Sequence, residues 1–266
     1  MKQPIGIFDS GVGGLTVYKS IREAFPQEDL IYFGDTARVP YGPKSENTII
    51  EYSVQNARFL LQKGIKILVV ACNTSSSVAL PRLKEITDIP IIGVIDPGAE
   101  MAVKLSNNNR IGVIGTQGTV RSQAYKTAIE KIQPHARVFS LACPLFVPLV
   151  EEGWLDHSIS RDIVSEYLDY FEDKDIDTLV LGCTHYPLLK NLIQEVVGGK
   201  VTLVDSADAI TRHLSELIPA TANGKPGSDS FYVSDNEAKF AEIADLILGR
   251  KVTHLRKVSL YESWFE

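Results

Sequence analysis

The chain has 266 residues, 44% apolar and 23% charged, the makeup of a globular protein with material for one large domain or two small ones. A net charge of -6 offers no general attraction to phosphate backbones and argues against nucleic acid as a main partner. Three cysteines with no close pair do not make a disulfide framework, and no apolar run approaches membrane-spanning length.

The amino terminus meets Asp9 too early for a signal peptide, which makes a reducing cytoplasm the expected compartment. Apolar runs of strand length then alternate with helical patterns. The runs are Ile5–Phe8, Leu30–Phe33, Ile67–Ala71, Ile91–Ile95, Ile111–Ile114, Val138–Ala142, Leu179–Leu181 and Val201–Val204. Between the second and third, Asn47–Lys63 carries Ile50, Val54, Ala57 and Leu61 at helical spacing, with Gly64 to stop it. Such alternation predicts an α/β fold of mainly parallel sheets flanked by helices.

The first four runs lie over the next four. Ile5–Ser10 aligns with Ile111–Thr116, Cys72 with Cys183, and the end at Asp96 with Asp205, at offsets of 106 (111 − 5), 111 (183 − 72) and 109 (205 − 96). Nearly constant offsets predict a duplicated unit, hence two pseudo-symmetric domains with a cleft between their strand ends. The expected division is 1–96 plus 208–266 for the first domain and 97–207 for the second. After the repeat, Pro219–Ser230 reads as a surface loop, Phe231–Val233 as a short strand and Val252–Tyr261 as an edge strand. Ser234 and Glu237 have the spacing of a capping box that opens a helix ending near Leu248 and Gly249. This tail is expected to pack on the first domain.

Buried cysteines are ordinarily small hydrophobes, and Cys143 fits that description. Cys72 and Cys183 differ: each ends a buried strand, is followed by hydrogen-bonding residues and matches the other in the repeat. Strand carboxyl ends are where open parallel sheets bind ligands. His185 could supply a proton route to Cys183 or simply satisfy a loop carbonyl. The run Asp9-Ser10-Gly11-Val12-Gly13-Gly14 is a strand end and glycine turn whose amides suit an anion. It lacks the third glycine of a dinucleotide fingerprint, and Asp9 would repel a pyrophosphate. A small zwitterion fits better, its ammonium on Asp9. Pro40-Tyr41-Gly42-Pro43 is a plain turn by itself, but at a strand end the Tyr41 hydroxyl and Gly42 amide become candidate carboxylate ligands. Glu151 and Glu152 occupy the matching loop of the second half, either as a solvated pair or with one turned inward. Cys183 and His185 alone supply too few ligands for a metal site.

Together Asp9-Ser10-Gly11-x-Gly13-Gly14, Pro40-Tyr41-Gly42, Ala71-Cys72-Asn73-Thr74 and Gly182-Cys183-Thr184-His185-Tyr186-Pro187 resemble the cofactor-independent aspartate/glutamate racemases, over essentially the whole chain and in the family's order. The resemblance implies interconversion of L- and D-glutamate without pyridoxal phosphate or metal, and a supply of D-glutamate for peptidoglycan. It also implies a small-molecule substrate, no membrane or nucleic-acid partner, and a homodimer. Cys72 and Cys183 would be the two bases, Cys72 acting on D- and Cys183 on L-glutamate, with Asp9, Glu151 and His185 assisting. Ser10, Tyr41, Gly42, Asn73, Thr74, Thr184 and His185 would contact substrate, as would Asp9, with Tyr41-Gly42 near the side-chain carboxylate. Some members answer to a cell-wall precursor through an amino-terminal extension, for which a first strand beginning at Ile5 leaves no room.

The residues agree with that mechanism, since inversion at a carbon bearing one hydrogen needs a base on one face and an acid on the other. Three alternatives stand beside it. One is a racemase of aspartate or another amino acid on the same scaffold, another a thiol hydrolase using Cys183 and His185, and the third a small-ligand binding protein.

Overall fold

The computed structural model describes residues 3–218 and 225–260. Its strands are β1 (Ile5–Asp9), β2 (Leu30–Gly34), β3 (Ile67–Val70), β4 (Ile91–Gly93), β5 (Arg110–Gly115), β6 (Arg137–Ala142), β7 (Thr178–Gly182), β8 (Thr202–Asp205), β9 (Asp229–Val233) and β10 (Leu255–Lys257). They form two wholly parallel sheets, ordered β10-β9-β2-β1-β3-β4 and β6-β5-β7-β8. The order β2-β1-β3-β4 maps onto β6-β5-β7-β8 strand for strand, which is the duplication expected from the sequence.

Burial explains why the strands were legible. Every residue of β1, β3 and β7 is buried, because helices cover both faces of each sheet. Ile5, Ile7, Tyr18, Tyr32, Phe231 and Phe240 fill one side of the first sheet; Phe8, Phe33, Phe59, Leu68 and Val70 fill the other. Ile114, Phe146, Leu179, Leu181 and Tyr186 pack on one side of the second sheet, opposite Ile111, Val113, Ile129, Val180 and Val204. The linking helices divide their loyalties. Helix Ile95–Leu105 buries Ile95, Ala99 and Ala102 under the second sheet, whereas helix Ser206–Leu217 buries Ala207, Ile210 and Leu214 in the core of the first.

Four local expectations need correction. The run Ile91–Ile95 is not all strand: β4 ends at Gly93 and Ile95 opens a helix whose first turn tolerates Pro97. The offset in this part of the chain is therefore 111 (202 − 91), and Asp205, which caps the helix after β8, has no counterpart in Asp96. The capping box is not formed, because Ser234 turns its hydroxyl to Asp35 and Asn236 caps helix Glu237–Leu248 through the Lys239 amide. Of the expected edge strand Val252–Tyr261, the described residues form strand over Leu255–Lys257, at the sheet edge, and Tyr261 lies outside the described residues. The helix over Asn47–Lys63 is observed as Glu46–Leu61, followed by Gly64 at φ 71°. The tail does pack on the first unit, with β9 pairing in parallel with β2. Within the expected loop Pro219–Ser230, residues 219–224 lie outside the described residues, and Asp229 and Ser230 belong to β9.

Candidate active site

The carboxyl ends of the two sheets meet, and the glycine turn after β1 lies against the loop after β7. Thr16 makes the junction, donating its hydroxyl to the carbonyls of both Gly13 and Thr184. Asp9, at the end of β1, is fully buried; its carboxylate accepts the Gly11 amide at 2.9 Å and the Thr184 hydroxyl at 3.2 Å. Burial pushes its carboxyl above the usual range, partly opposed by the charge of His185 and by the turn amides.

Cys72 follows β3 at the start of helix Asn73–Val78, with its sulfur 3.7 Å from the Ser10 hydroxyl. Burial, and then the charge of Asp9, push its thiol up to about 11; the Ser75 amide and the Ser10 and Ser75 hydroxyls pull the other way. Asn73 accepts the Tyr125 hydroxyl at 2.7 Å, but its buried Nδ2 has no partner in the protein. An unmatched buried donor is costly, and this one belongs to a residue lining the cavity, where a ligand oxygen would satisfy it. Thr74 bonds Thr116 across the junction at 2.9 Å.

Cys183 follows β7, with Sγ 3.9 Å from Nδ1 of His185; Nε2 of the same ring lies 3.1 Å from Glu151. Burial disfavours the imidazolium, but Cys183 and the Glu151 carboxylate outweigh it and hold His185 up at about 10. Each thiol thus has its own ionisable neighbour, a carboxylate near Cys72 and an imidazole near Cys183.

Both sulfurs line one small cavity of about 330 Å³, together with Ser10, Val39, Pro40, Tyr41, Gly42, Asn73, Thr74, Thr116, Val147, Thr184 and His185. A larger cavity of about 820 Å³ lies outside it and shares Pro40, Gly42, Thr116 and Val147. Glu151 and Glu152 both line this outer space, but only Glu151 reaches His185. Among the described residues no group of His, Cys, Asp and Glu is arranged to hold a metal ion.

Of the residues named from sequence, Tyr41 needs a correction. Its hydroxyl is buried against Asp35 and accepts from Asn56 at 3.0 Å, so only the backbone of Tyr41 and Gly42 is free to face a ligand. Cys143 sits in the core below the site, its thiol pushed up by burial and its carbonyl accepting the Tyr186 hydroxyl. Thr116 and Val147 were missed. Thr116 was findable, since the offset of 106 (116 − 10) makes it the counterpart of Ser10. Val147 carries no polar signal, and only folding brings it to the cavity.

Residues 5–214 match the family described as Asp/Glu/Hydantoin racemase. The chain is 51% identical over 260 residues to a glutamate racemase of Geobacter metallireducens, covering 96% of each. Among solved structures it is similar to a glutamate racemase isoform of Bacillus anthracis (TM-score 0.93, 38% identity, 97% and 98% of the chains covered). It is likewise similar to the glutamate racemase of Francisella tularensis in complex with D-glutamate (TM-score 0.91, 40% identity, 97% and 98% covered).

Proposed function

The chain belongs to the Asp/Glu/hydantoin racemase family, and we propose that this isomerase interconverts L- and D-glutamate with Cys72 and Cys183 as its two acid–base groups. The observation that carries the reading is the pair of thiols on one cavity, each supplied by a different sheet and each with its own neighbours, Ser10 and the charge of Asp9 for Cys72 and His185 for Cys183.

The chemistry follows from proton bookkeeping. With L-glutamate bound, Cys183 as thiolate takes the proton from Cα and becomes a thiol. The electron pair left on carbon delocalises into the α-carboxylate, and the Cys72 thiol returns a proton to the opposite face. The product is D-glutamate, with Cys72 left as thiolate. That form is primed for D-glutamate, so a second turnover from L-glutamate requires the two sulfurs to exchange protons with solvent. His185 with Glu151 on one side and Asp9 on the other are the groups through which those protons pass. Charge accumulates on the α-carboxylate as Cα–H breaks. The unpartnered Asn73 amide is a donor suited to it, and in so small a cavity it acts with little competition from water. An ammonium beside Asp9 and Ser10 would favour the Cys72 thiolate, which burial and the charge of Asp9 otherwise disfavour.

The two domains, 1–96 with 208–266 and 97–207, each contribute one thiol. Neither transfer calls on a cofactor. Among the described residues no helix is long and apolar enough to cross a membrane. A cytoplasmic homodimer feeding D-glutamate to peptidoglycan synthesis is the setting we propose.

The test is polarimetry of the purified protein with L-glutamate and L-aspartate, no cofactor added, for wild type, Cys72→Ala and Cys183→Ala. Each variant should bind glutamate by calorimetry yet fail to racemise it. In deuterium oxide, wild-type product should carry deuterium at Cα from its first appearance. Full turnover by either single variant would exclude the two-thiol reaction, and a preference for aspartate would reassign the substrate.

A further inference from the structure

A closed ring of buried hydrogen bonds stands behind the Tyr41-Gly42 turn. Asp35, just beyond β2, accepts the Arg38 Nε at 2.6 Å and the Tyr41 hydroxyl on the same oxygen, Oδ2. Arg38 Nη2 donates to Asn56 Oδ1 at 2.9 Å, and Asn56 Nδ2 donates to the Tyr41 hydroxyl at 3.0 Å. The ring is thereby complete, and each member's polarity is fixed by its neighbours. Further groups brace it from outside: Ser234 donates to the other Asp35 oxygen, Gln55 accepts from Arg38, and the Arg38 guanidinium lies 4.0 Å over the Tyr52 ring.

This arrangement is not explained by stability. A buried carboxylate–guanidinium pair surrenders the hydration of both ions, and well-packed apolar residues of the same volume are often as stable. What such a network secures is geometry, because any displacement leaves a buried polar group unmatched. Its members come from the end of β2, from the turn itself and from helix Glu46–Leu61, so the ring fixes the turn relative to the rigid body of the first sheet. The other side of the turn is also closed, since a Cβ on Gly42 would lie 2.9 Å from the Thr116 side chain.

We propose that Asp35, Arg38 and Asn56 are positioning residues for substrate recognition, holding the Tyr41-Gly42 backbone where it receives the end of the substrate remote from Cα. The inference rests on the racemase reading above. The thiols line the inner cavity alone, whereas Pro40 and Gly42 line both inner and outer cavities, so the turn faces the part of the ligand farther from the reacting carbon. Tyr41 acts through its hydroxyl as a strut, and its backbone makes the contact. Since that contact is the same before and during proton transfer, loosening the ring weakens binding without slowing the chemistry.

The experiment compares Tyr41→Phe and Asn56→Leu with wild type, neither change altering a side chain whose polar atoms face the cavity. Each should raise KM for L- and D-glutamate by about three- to tenfold, the value of one or two hydrogen bonds, with kcat within about twofold. The double variant should be no worse than the poorer single one. Inhibition by 2-aminobutyrate, which lacks the second carboxylate, should be unchanged in all three. A purely structural ring would lower the melting temperature and leave KM alone, and that result overturns the proposal, as does an equal loss of glutamate and 2-aminobutyrate binding. Failure of the underlying reading looks different: wild type itself would not racemise glutamate. If wild type turns over aspartate instead, the same ratios are read on aspartate; turnover of neither acid removes both proposals.

Discussion

Gly13→Ala isolates the junction between the two sheets. A Cβ at this position would lie 2.4 Å from His185 Nδ1 and 2.5 Å from the Thr184 hydroxyl, where ordinary contact begins at 3.4 Å. The imidazole must therefore retreat by about 1 Å (3.4 − 2.4), and the retreating atom is the nitrogen that addresses Cys183 at 3.9 Å. His185 is buried and already engaged by Glu151 at its far nitrogen, so it has little free space to use. If the sheets separate instead, the two thiols move apart. Either way the proton path is misaligned by about 1 Å, a displacement that typically costs about 100-fold in rate. Folding should survive, because Gly13 is not among the described glycines with positive φ and alanine can adopt its backbone. Gly11→Ala is the comparison, since its Cβ would meet Val39 at an acceptable 3.5 Å and should cost far less. The assay is racemisation followed in both directions by circular dichroism. Enantiomers are equally stable in water, so kcat/KM must fall by the same factor from either side, which checks the data internally. A Gly13→Ala enzyme within twofold of wild type and with an unchanged melting temperature would refute the steric argument.

The other expectations are smaller. Glu151→Gln removes the carboxylate facing His185 and should lower kcat by about tenfold or more in racemase assays, while Glu152→Gln should stay within about twofold. His185 is held at about 10, above its ordinary 6.5, so its stabilisation is complete below pH 6.5 and is lost as pH rises through 10. Cys72, held at about 11, also disfavours the folded state as pH climbs past 9, so thermal melts at pH 7 and 10 should compare wild type with His185→Gln. Wild type should lose more stability across that interval than the variant, and equal losses would remove the role assigned to the imidazolium. Asn236→Ala deletes a helix cap at φ 48° and should lower the melting temperature by about 2–6 °C with no change in kinetics.

The strands were legible because their burial is two-sided, leaving uninterrupted apolar runs at β1, β3 and β7. Ile95 was misread for the same reason, since a buried helix start and a buried strand end are equally apolar over a few residues. Ser234 and Glu237 have capping-box spacing, yet Asp35 draws the Ser234 hydroxyl away, a tertiary competition that local sequence does not record. In the site, cysteines, Asp9 and His185 announced themselves by chemistry at strand ends. The Asp35–Arg38–Asn56 ring did not, because its members are 3 and 18 residues apart and each is unremarkable alone.

The duplicated scaffold also explains why its two thiols are not equivalent. The offset of 106 places Gly115 opposite Asp9, and the offset of 111 places Thr74 opposite His185. Each half has thus kept one ionisable helper that the other lacks: the carboxylate beside Cys72 disfavours its thiolate, and the imidazole beside Cys183 can take up or return a proton. A strictly symmetric pair would hold its one proton on either sulfur with equal ease, since ionising one disfavours ionising the other. Racemisation needs one of each at every moment. The unlike neighbours give each sulfur its own proton route, and moving the carboxylate to the other half, with Asp9→Gly and Gly115→Asp together, should not restore what either change alone removes.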